Sequence, residues 1–182
     1  FNTIEAKETM SKELAAEVAV IGAGSVGIAV AYYLLKDYGI KNTVLIDPLN
    51  PMSLTSAQSG ENYRNWWPHP MMTAFTDDSM SLMEDIAAQT DNRISMTRRG
   101  YALVTRENNP QDLINDLYQG YGAAQSSLIR IHDGSTNASY IPPLSADWSN
   151  APEGVDVLLD PNLIRSTFPT YAQDVAAVIH IR

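Results

Sequence analysis

The sequence predicts an α/β fold, and three observations predict it. Residues 18–35, VAVIGAGSVGIAVAYYLL, run from an apolar strand through a G-x-G-x-x-G turn into apolar positions at helical spacing. A second apolar strand, TVLI, follows and ends at an acid, Asp47. Beyond residue 70, segments of helical periodicity alternate with short runs of strand formers.

The first element is Leu14 to Ile21 (LAAEVAVI), a short Val-rich run suited to a strand buried on both faces. Gly22, Gly24 and Gly27 follow at once. Ile28 to Leu35 then continues as a helix that should stop near Gly39, just after Lys36. Thr43–Ile46 is the next strand, with Asp47 at its carboxyl end and Pro48 to stop it. Each glycine has a physical task in such a unit. Gly22 permits a tight turn, Gly24 lets backbone approach a pyrophosphate, and Gly27 lets the helix lie close to the strand. The free N–H groups near Ser25 and Val26, aided by the helix dipole, suit phosphate oxygens. Asp47 stands 20 residues beyond Gly27, where an acid accepts hydrogen bonds from a ribose. This pattern points to a Rossmann-type dinucleotide site. It does not choose between FAD and NAD, which share it.

Pro70 opens a second helix along which Met72, Phe75, Met80, Met83 and Ile86 recur at roughly helical spacing, the Met residues as core fillers. The pairs Asp77-Asp78 and Glu84-Asp85 read as its solvated face. Arg93–Thr97 (RISMT) and Gly100–Thr105 read as strands joined by a turn at Arg98-Arg99. Asn109-Pro110 forms a cap and first-turn pair for a helix carrying Leu113, Ile114, Leu117, Tyr118 and Tyr121. Residues 132–153 are rich in Ser, Asn, Pro and Gly and read as a surface loop. A short helix at 161–167 and a strand at 175–181 complete the order.

Composition excludes several classes. With 12 Lys and Arg against 21 Asp and Glu, the net charge is −9, which disfavours nucleic acid and anionic membranes as partners. The absence of cysteine removes disulfides, Cys-zinc sites and thiol nucleophiles. His69, His132 and His180 lie far apart without metal-ligand spacing, so no metal is expected. Of the three, His69 is the candidate to lie near a pocket, and His180 reads as half-buried strand structure. Residues 1–13 are a polar leader without a signal-peptide core, which suggests the cytoplasm. The chain opens at Phe1 and closes within a strand-like stretch, so a fragment is expected, with further polypeptide, continuous or associated, pairing with that edge.

Residues 48–72 distinguish the flavin from the nicotinamide reading. Instead of entering another helix and strand, they are full of turn formers and then place Arg64 beside Trp66 and Trp67. From VIGAGSVGIAVAYYL and TVLIDP through TSAQSGENYR, MTAFTDDSMSLMEDIAAQT and RISMTRRGYALVTRE to LLDPNLIRSTFPTY, the sequence resembles the FAD-dependent amine and amino-acid oxidoreductases related to monomeric sarcosine oxidase, glycine oxidase and D-amino-acid dehydrogenase. The resemblance covers most of residues 14–182, with Arg130–Glu153 looking like an insertion.

The resemblance implies an FAD-binding βαβ unit and flavin-contacting turn over 14–70, and helix and strands leading into a mainly antiparallel-sheet substrate domain over 71–182. It implies non-covalent FAD, an amine or amino-acid substrate, and hydride transfer from the C–N carbon to the flavin. Ser56, Ala57, Gln58 and Gly60, with Pro48 near the acid, would line the cofactor. Arg64 would lie against the isoalloxazine ring, its charge matching that of the reduced flavin. Where sarcosine oxidases carry a second, carboxylate-gripping Arg, this chain has Trp67; where some relatives attach FAD through a His, it has Gln58 and Ser59. Two other readings stand beside this one. One is a non-catalytic dinucleotide-binding chain that needs a partner polypeptide; the other is an NAD(P)-dependent dehydrogenase, for which TSAQSGENYR is the wrong continuation.

Overall fold

The computed structural model describes residues 15–60, 62–135, 139–143 and 148–182. The expected leader 1–13, Leu14, Glu61 and parts of the 132–153 loop lie outside them. The chain forms two compact units, Phe1–Asn62 and Tyr63–Arg182.

The first unit is a β-α-β element. Strand β1 (Val18–Ile21) pairs in parallel with β2 (Thr43–Ile46), Val18 opposite Thr43 and Ile21 opposite Ile46. Helix α1 (Ser25–Tyr38) connects them and stops where expected, at Gly39 in the left-handed conformation, φ +69°. The Gly39 N–H returns to the carbonyl of Leu35, which satisfies an orphan group of the last turn. The expected burial of β1 on both faces is not found. Val18 and Val20 are half-buried, whereas Ala19 and Ile21 are exposed, because this two-stranded sheet carries a helix on one face only.

The second unit is built on a four-stranded mixed sheet in the order β3-β6-β5-β4, from β3 (Tyr101–Thr105), β4 (Ile129–His132), β5 (Val155–Leu158) and β6 (Ala177–Ile181). Only β4 and β5 run parallel. Alternation explains the two faces. Ile129, Ile131, Val155, Val157, Ile179 and Ile181 point to one side, where Ile114, Leu117 and Tyr121 of helix α3 (Gln111–Tyr121) and Trp66 cover them. The other side carries Leu158 and Val178, which meet Ile164 of helix α4 (Pro161–Thr167) and Val175. That side also bears a polar row, Arg130, Asp156 and His180, aligned across three strands by register.

Asp156 is the hub of that row and is 1% exposed. Its Oδ1 accepts from Arg130 Nε at 2.7 Å and faces His132 Nε2 at 2.9 Å, and its Oδ2 accepts from Arg182 Nε at 2.8 Å. Burial alone would raise its pKa, but the hydrogen bonds of Arg130 and His132 and the charges of Arg130 and Arg182 prevail and hold it at about 2. His180 donates from Nε2 to the carbonyl of Arg99 (2.6 Å) and accepts at Nδ1 from the Tyr140 hydroxyl (2.8 Å). Burial, reinforced by the Arg182 charge, lowers its pKa to about 4, so it is neutral at physiological pH.

These contacts correct several expectations. Strand β6 is no open edge: β3 and β5 pair with it on both sides and all five residues are buried. His180 is fully rather than half buried, and the Tyr140 ring lies between it and His132, at 5.8 and 5.5 Å. Strands β4 and β5 were not foreseen, and the start of the supposed insertion, Arg130 to His132, is sheet framework. RISMT is no strand. The Asn92 amide closes on Met96, accepting its N–H at 2.8 Å and donating to its carbonyl, while the Tyr63 hydroxyl takes both backbone groups of Thr97. The groups that a ladder would need are already used.

Helix α2 (Pro70–Gln89) begins with Pro70 in its first turn as expected, but its buried residues are Thr73, Met80 and Ala87; Phe75 is 64% exposed. Glu84 does not belong to a purely solvated face, since it pairs with the buried Arg98. Helix α3 starts one residue late, with Pro110 itself at the cap and no side-chain cap from Asn109. Among the described residues, no helix is long and apolar enough to cross a membrane.

Candidate functional site

The glycine turn of the first unit is held by its neighbours rather than by regular secondary structure. Gly22 adopts φ +104°, a conformation open to glycine at little cost, and its N–H continues the sheet by donating to the Ile46 carbonyl at 2.8 Å. At Gly27 a Cβ would stand 1.8 Å from the Gly22 carbonyl oxygen and 3.5 Å from Val20 Cγ1. Only glycine lets α1 start this close to the turn.

Asp47 secures the same turn from the end of β2. Its Oδ2 accepts from Ala23 N–H at 2.7 Å, and its Oδ1 accepts from Leu49 N–H at 2.8 Å. Those two backbone donors lower its pKa, so the carboxylate stays ionised. Each carboxylate oxygen retains a further lone pair for another donor.

The loop after β2 returns across the turn. Met52, at φ +62°, donates its N–H to the Ala23 carbonyl at 2.9 Å, an unusual backbone conformation for a bulky residue. A 3-10 turn, Thr55–Gln58, then brings Ser56 Oγ to the start of α1, where it accepts from Ser25 N–H at 3.0 Å. Ala23, Gly24, Asp47 and residues 50 and 52–56 line a cavity of about 170 Å³. Of the sequence candidates, Gly22, Gly24, Ser25, Gly27, Asp47 and Ser56 converge on this turn. Val26 is 76% exposed in the first turn of α1, and Pro48, Ala57, Gln58 and Gly60 are exposed away from the cavity lining. Asn50, Met52, Ser53, Leu54 and Thr55 were not singled out, although the turn-forming composition of their segment was.

Arg64 belongs to the second unit. Its guanidinium carbon lies 4.0 Å from the centre of the Trp67 ring and 5.3 Å from that of Tyr101. Trp66 is buried in the core beside α3, while Trp67 is 37% exposed. His69 is exposed at the cap of α2, where its carbonyl accepts from the N–H groups of Met72 and Thr73.

The family model described as FAD dependent oxidoreductase matches residues 17–177. The chain belongs to this family. The match begins one residue before β1 and ends at the first residue of β6, so it covers most of both units. No curated protein matches the chain.

Membership in an FAD dependent oxidoreductase family makes the fit of the turn to a dinucleotide the deciding local question. The Ser56 hydroxyl oxygen occupies the place on Ser25 N–H where an anionic oxygen would sit, so the helix start already accommodates an oxygen acceptor. A Cβ on Gly24 would reach 3.3 Å from that same oxygen, so a side chain at residue 24 would narrow the space before the helix. The residues present fit the pyrophosphate of FAD. Among the described residues, no group of three or more His, Asp or Glu side chains comes together as a metal site.

Proposed function

We propose that the protein is an FAD-dependent oxidoreductase that oxidises the C–N bond of an amine or amino acid. The observation that carries the cofactor assignment is the glycine turn: an oxygen acceptor on Ser25 N–H, a side-chain-free approach at Gly24, and an ionised Asp47 beneath. Gly22, Gly24, Ser25, Val26 and Gly27 would hold the pyrophosphate through backbone N–H groups and the positive end of α1. Asp47, with Pro48 fixing the chain behind it, would accept from a ribose hydroxyl with its remaining lone pairs. Ser56, Ala57, Gln58 and Gly60 would close over the cofactor. Flavin, when bound, supplies the acceptor for the hydride that leaves the substrate carbon.

The task of Arg64 is electrostatic. A fixed guanidinium stabilises negative charge that develops in the transition state, at no reorganisation cost if it is already in place. An amine or amino-acid substrate rests on the resemblance, over most of residues 14–182, to the FAD-dependent amine and amino-acid oxidoreductases; Trp67, in place of a second Arg, argues against simple N-methyl amino acids.

The natively isolated protein should show the visible absorption of an oxidised flavin. Anaerobic mixing with amines and amino acids should bleach it. Protein that carries no flavin and takes up none from solution would refute the cofactor assignment; stable flavin that no amine reduces would refute the substrate class.

A further inference from the structure

We propose that Tyr101 and Trp67 form an aromatic clamp that positions the Arg64 guanidinium, which makes Tyr101 a positioning residue for the reaction. Three observations lead to it. The guanidinium carbon is within cation–π range of both rings, 4.0 Å from Trp67 and 5.3 Å from Tyr101. Among the described residues, Arg64 has neither a carboxylate partner nor a hydrogen-bond acceptor. The backbone that carries each ring is held in place. The Thr73 hydroxyl of α2 is 4% exposed in residue terms and grips Trp67 twice, accepting from its N–H at 3.2 Å and donating to its carbonyl at 2.8 Å. Tyr101 opens β3 and is held in register opposite Ile181 of β6.

A partnerless arginine on a surface normally samples many rotamers and faces water. Stacking changes what it can do. An aromatic face engages the flat side of the guanidinium and leaves the in-plane N–H donors uncommitted. The clamp thus orders the cation without using the hydrogen bonds that an anionic group would need. A carboxylate partner would order it equally well but would cancel its charge. Trp67 and Tyr101 supply order and keep the charge, which is what stabilisation of a developing anion requires. The Tyr101 hydroxyl plays no part in this, so Phe should replace Tyr without loss.

The role in catalysis rests on the function proposed above, but the clamp itself is testable without it. In flavin-free protein, the Arg64 Nε–H resonance should show a ring-current shift that Tyr101→Leu reduces and Tyr101→Phe retains. In the flavoprotein, Tyr101→Leu should slow anaerobic flavin reduction about threefold to tenfold, with FAD affinity unchanged and Tyr101→Phe at the parent rate. In an Arg64→Met background, Tyr101→Leu should add nothing further. An unshifted Arg64 resonance, or one indifferent to Tyr101→Leu, overturns the clamp. A clamp seen by resonance, with Arg64→Met impaired but Tyr101→Leu reduced at the parent rate, overturns the positioning role alone. Arg64→Met reduced at the parent rate overturns the proposed role of Arg64, and that of Tyr101 with it, whatever the resonance shows.

Discussion

Gly24 and Gly27 lie three residues apart in one turn, yet a methyl group should do different damage at each. At Gly27 the added Cβ would stand 1.8 Å from the Gly22 carbonyl oxygen and 2.9 Å from its carbon. Both atoms are backbone, so α1 must move off the turn. Alanine regains about 1 kcal/mol of helix propensity, but forced overpacking against backbone costs more, and we expect a net loss of about 2 kcal/mol. At Gly24 the Cβ meets only Ser56 Oγ, at 3.3 Å, the tip of a small side chain that can rotate away. Residue 24 is already extended, φ −77° and ψ −176°, so alanine is conformationally acceptable. Its cost to the empty protein should stay below about 1 kcal/mol, the weaker cap included.

Binding should invert that order of severity relative to stability. If the proposed pyrophosphate site is right, the methyl of Gly24→Ala stands in its approach and lowers FAD affinity about tenfold or more, an overlap worth at least about 1.4 kcal/mol. Gly24→Val, with a branched side chain there, should abolish FAD retention. The assay pairs thermal melting of flavin-free protein with an FAD titration followed by flavin fluorescence. Gly27→Ala should move both readouts, and Gly24→Ala chiefly the second. Parent-like FAD binding by Gly24→Ala would show that no phosphate approaches this turn. An unshifted melting temperature for Gly27→Ala would show that α1 does not depend on the close approach.

Other substitutions probe the carboxylates and the buried row. Asp47→Asn keeps the shape but removes the charge and an acceptor, so FAD affinity should fall; an unchanged titration would leave Asp47 with a turn-holding role only. Asp156→Ala would strand the guanidiniums of Arg130 and Arg182 and should cost about 3–5 kcal/mol in a denaturation experiment; a loss under about 1 kcal/mol would mean that the row is well solvated. The same row predicts the acid response. The folded-state pKa of His180 is lowered from 6.5 to about 4, so its contribution is complete above pH 6.5 and is lost as pH falls from there toward 4. Asp156, lowered from 3.8 to about 2, adds a second loss below pH 3.8. Melting temperatures across that range should fall in these two windows, and His180→Gln, which retains a donor and an acceptor, should remove the upper one.

The two units differ in how much of them the sequence discloses, and the difference has a physical origin. In β1, α1 and β2 every determinant is local. The glycines act on their own turn, Gly39 ends its own helix, and Asp47 bonds to Leu49 two residues on and to a turn that the motif already marks. Such an element can be read residue by residue. In the second unit the deciding partners are distant. Thr97 loses its ladder groups to Tyr63, and β4 becomes a strand because β5 lies beside it, with Arg130 answering Asp156 across the pair. The segments IRIH and VDVL do alternate, Ile129 and Ile131 about Arg130 and Val155 and Val157 about Asp156, but over only four residues each, the shortest run in which that pattern carries a signal.

The same distinction governs the candidate site. Gly22, Gly24, Gly27 and Asp47 were legible as candidates because the dinucleotide motif specifies those residue types at fixed offsets, and Ser25 because its N–H opens the helix that follows. Met52 was not, because its contribution is a backbone N–H presented at φ +62°, and any residue forced into that conformation could supply it. Tyr101 was not legible for a third reason. Its significance comes only from the ring of Trp67 and the cation of Arg64 meeting it in space, 34 and 37 residues earlier in the chain. A side chain that acts by holding another leaves no motif of its own. Residues of this kind are found from geometry, and double-mutant coupling to the residue they hold is the observation that identifies them.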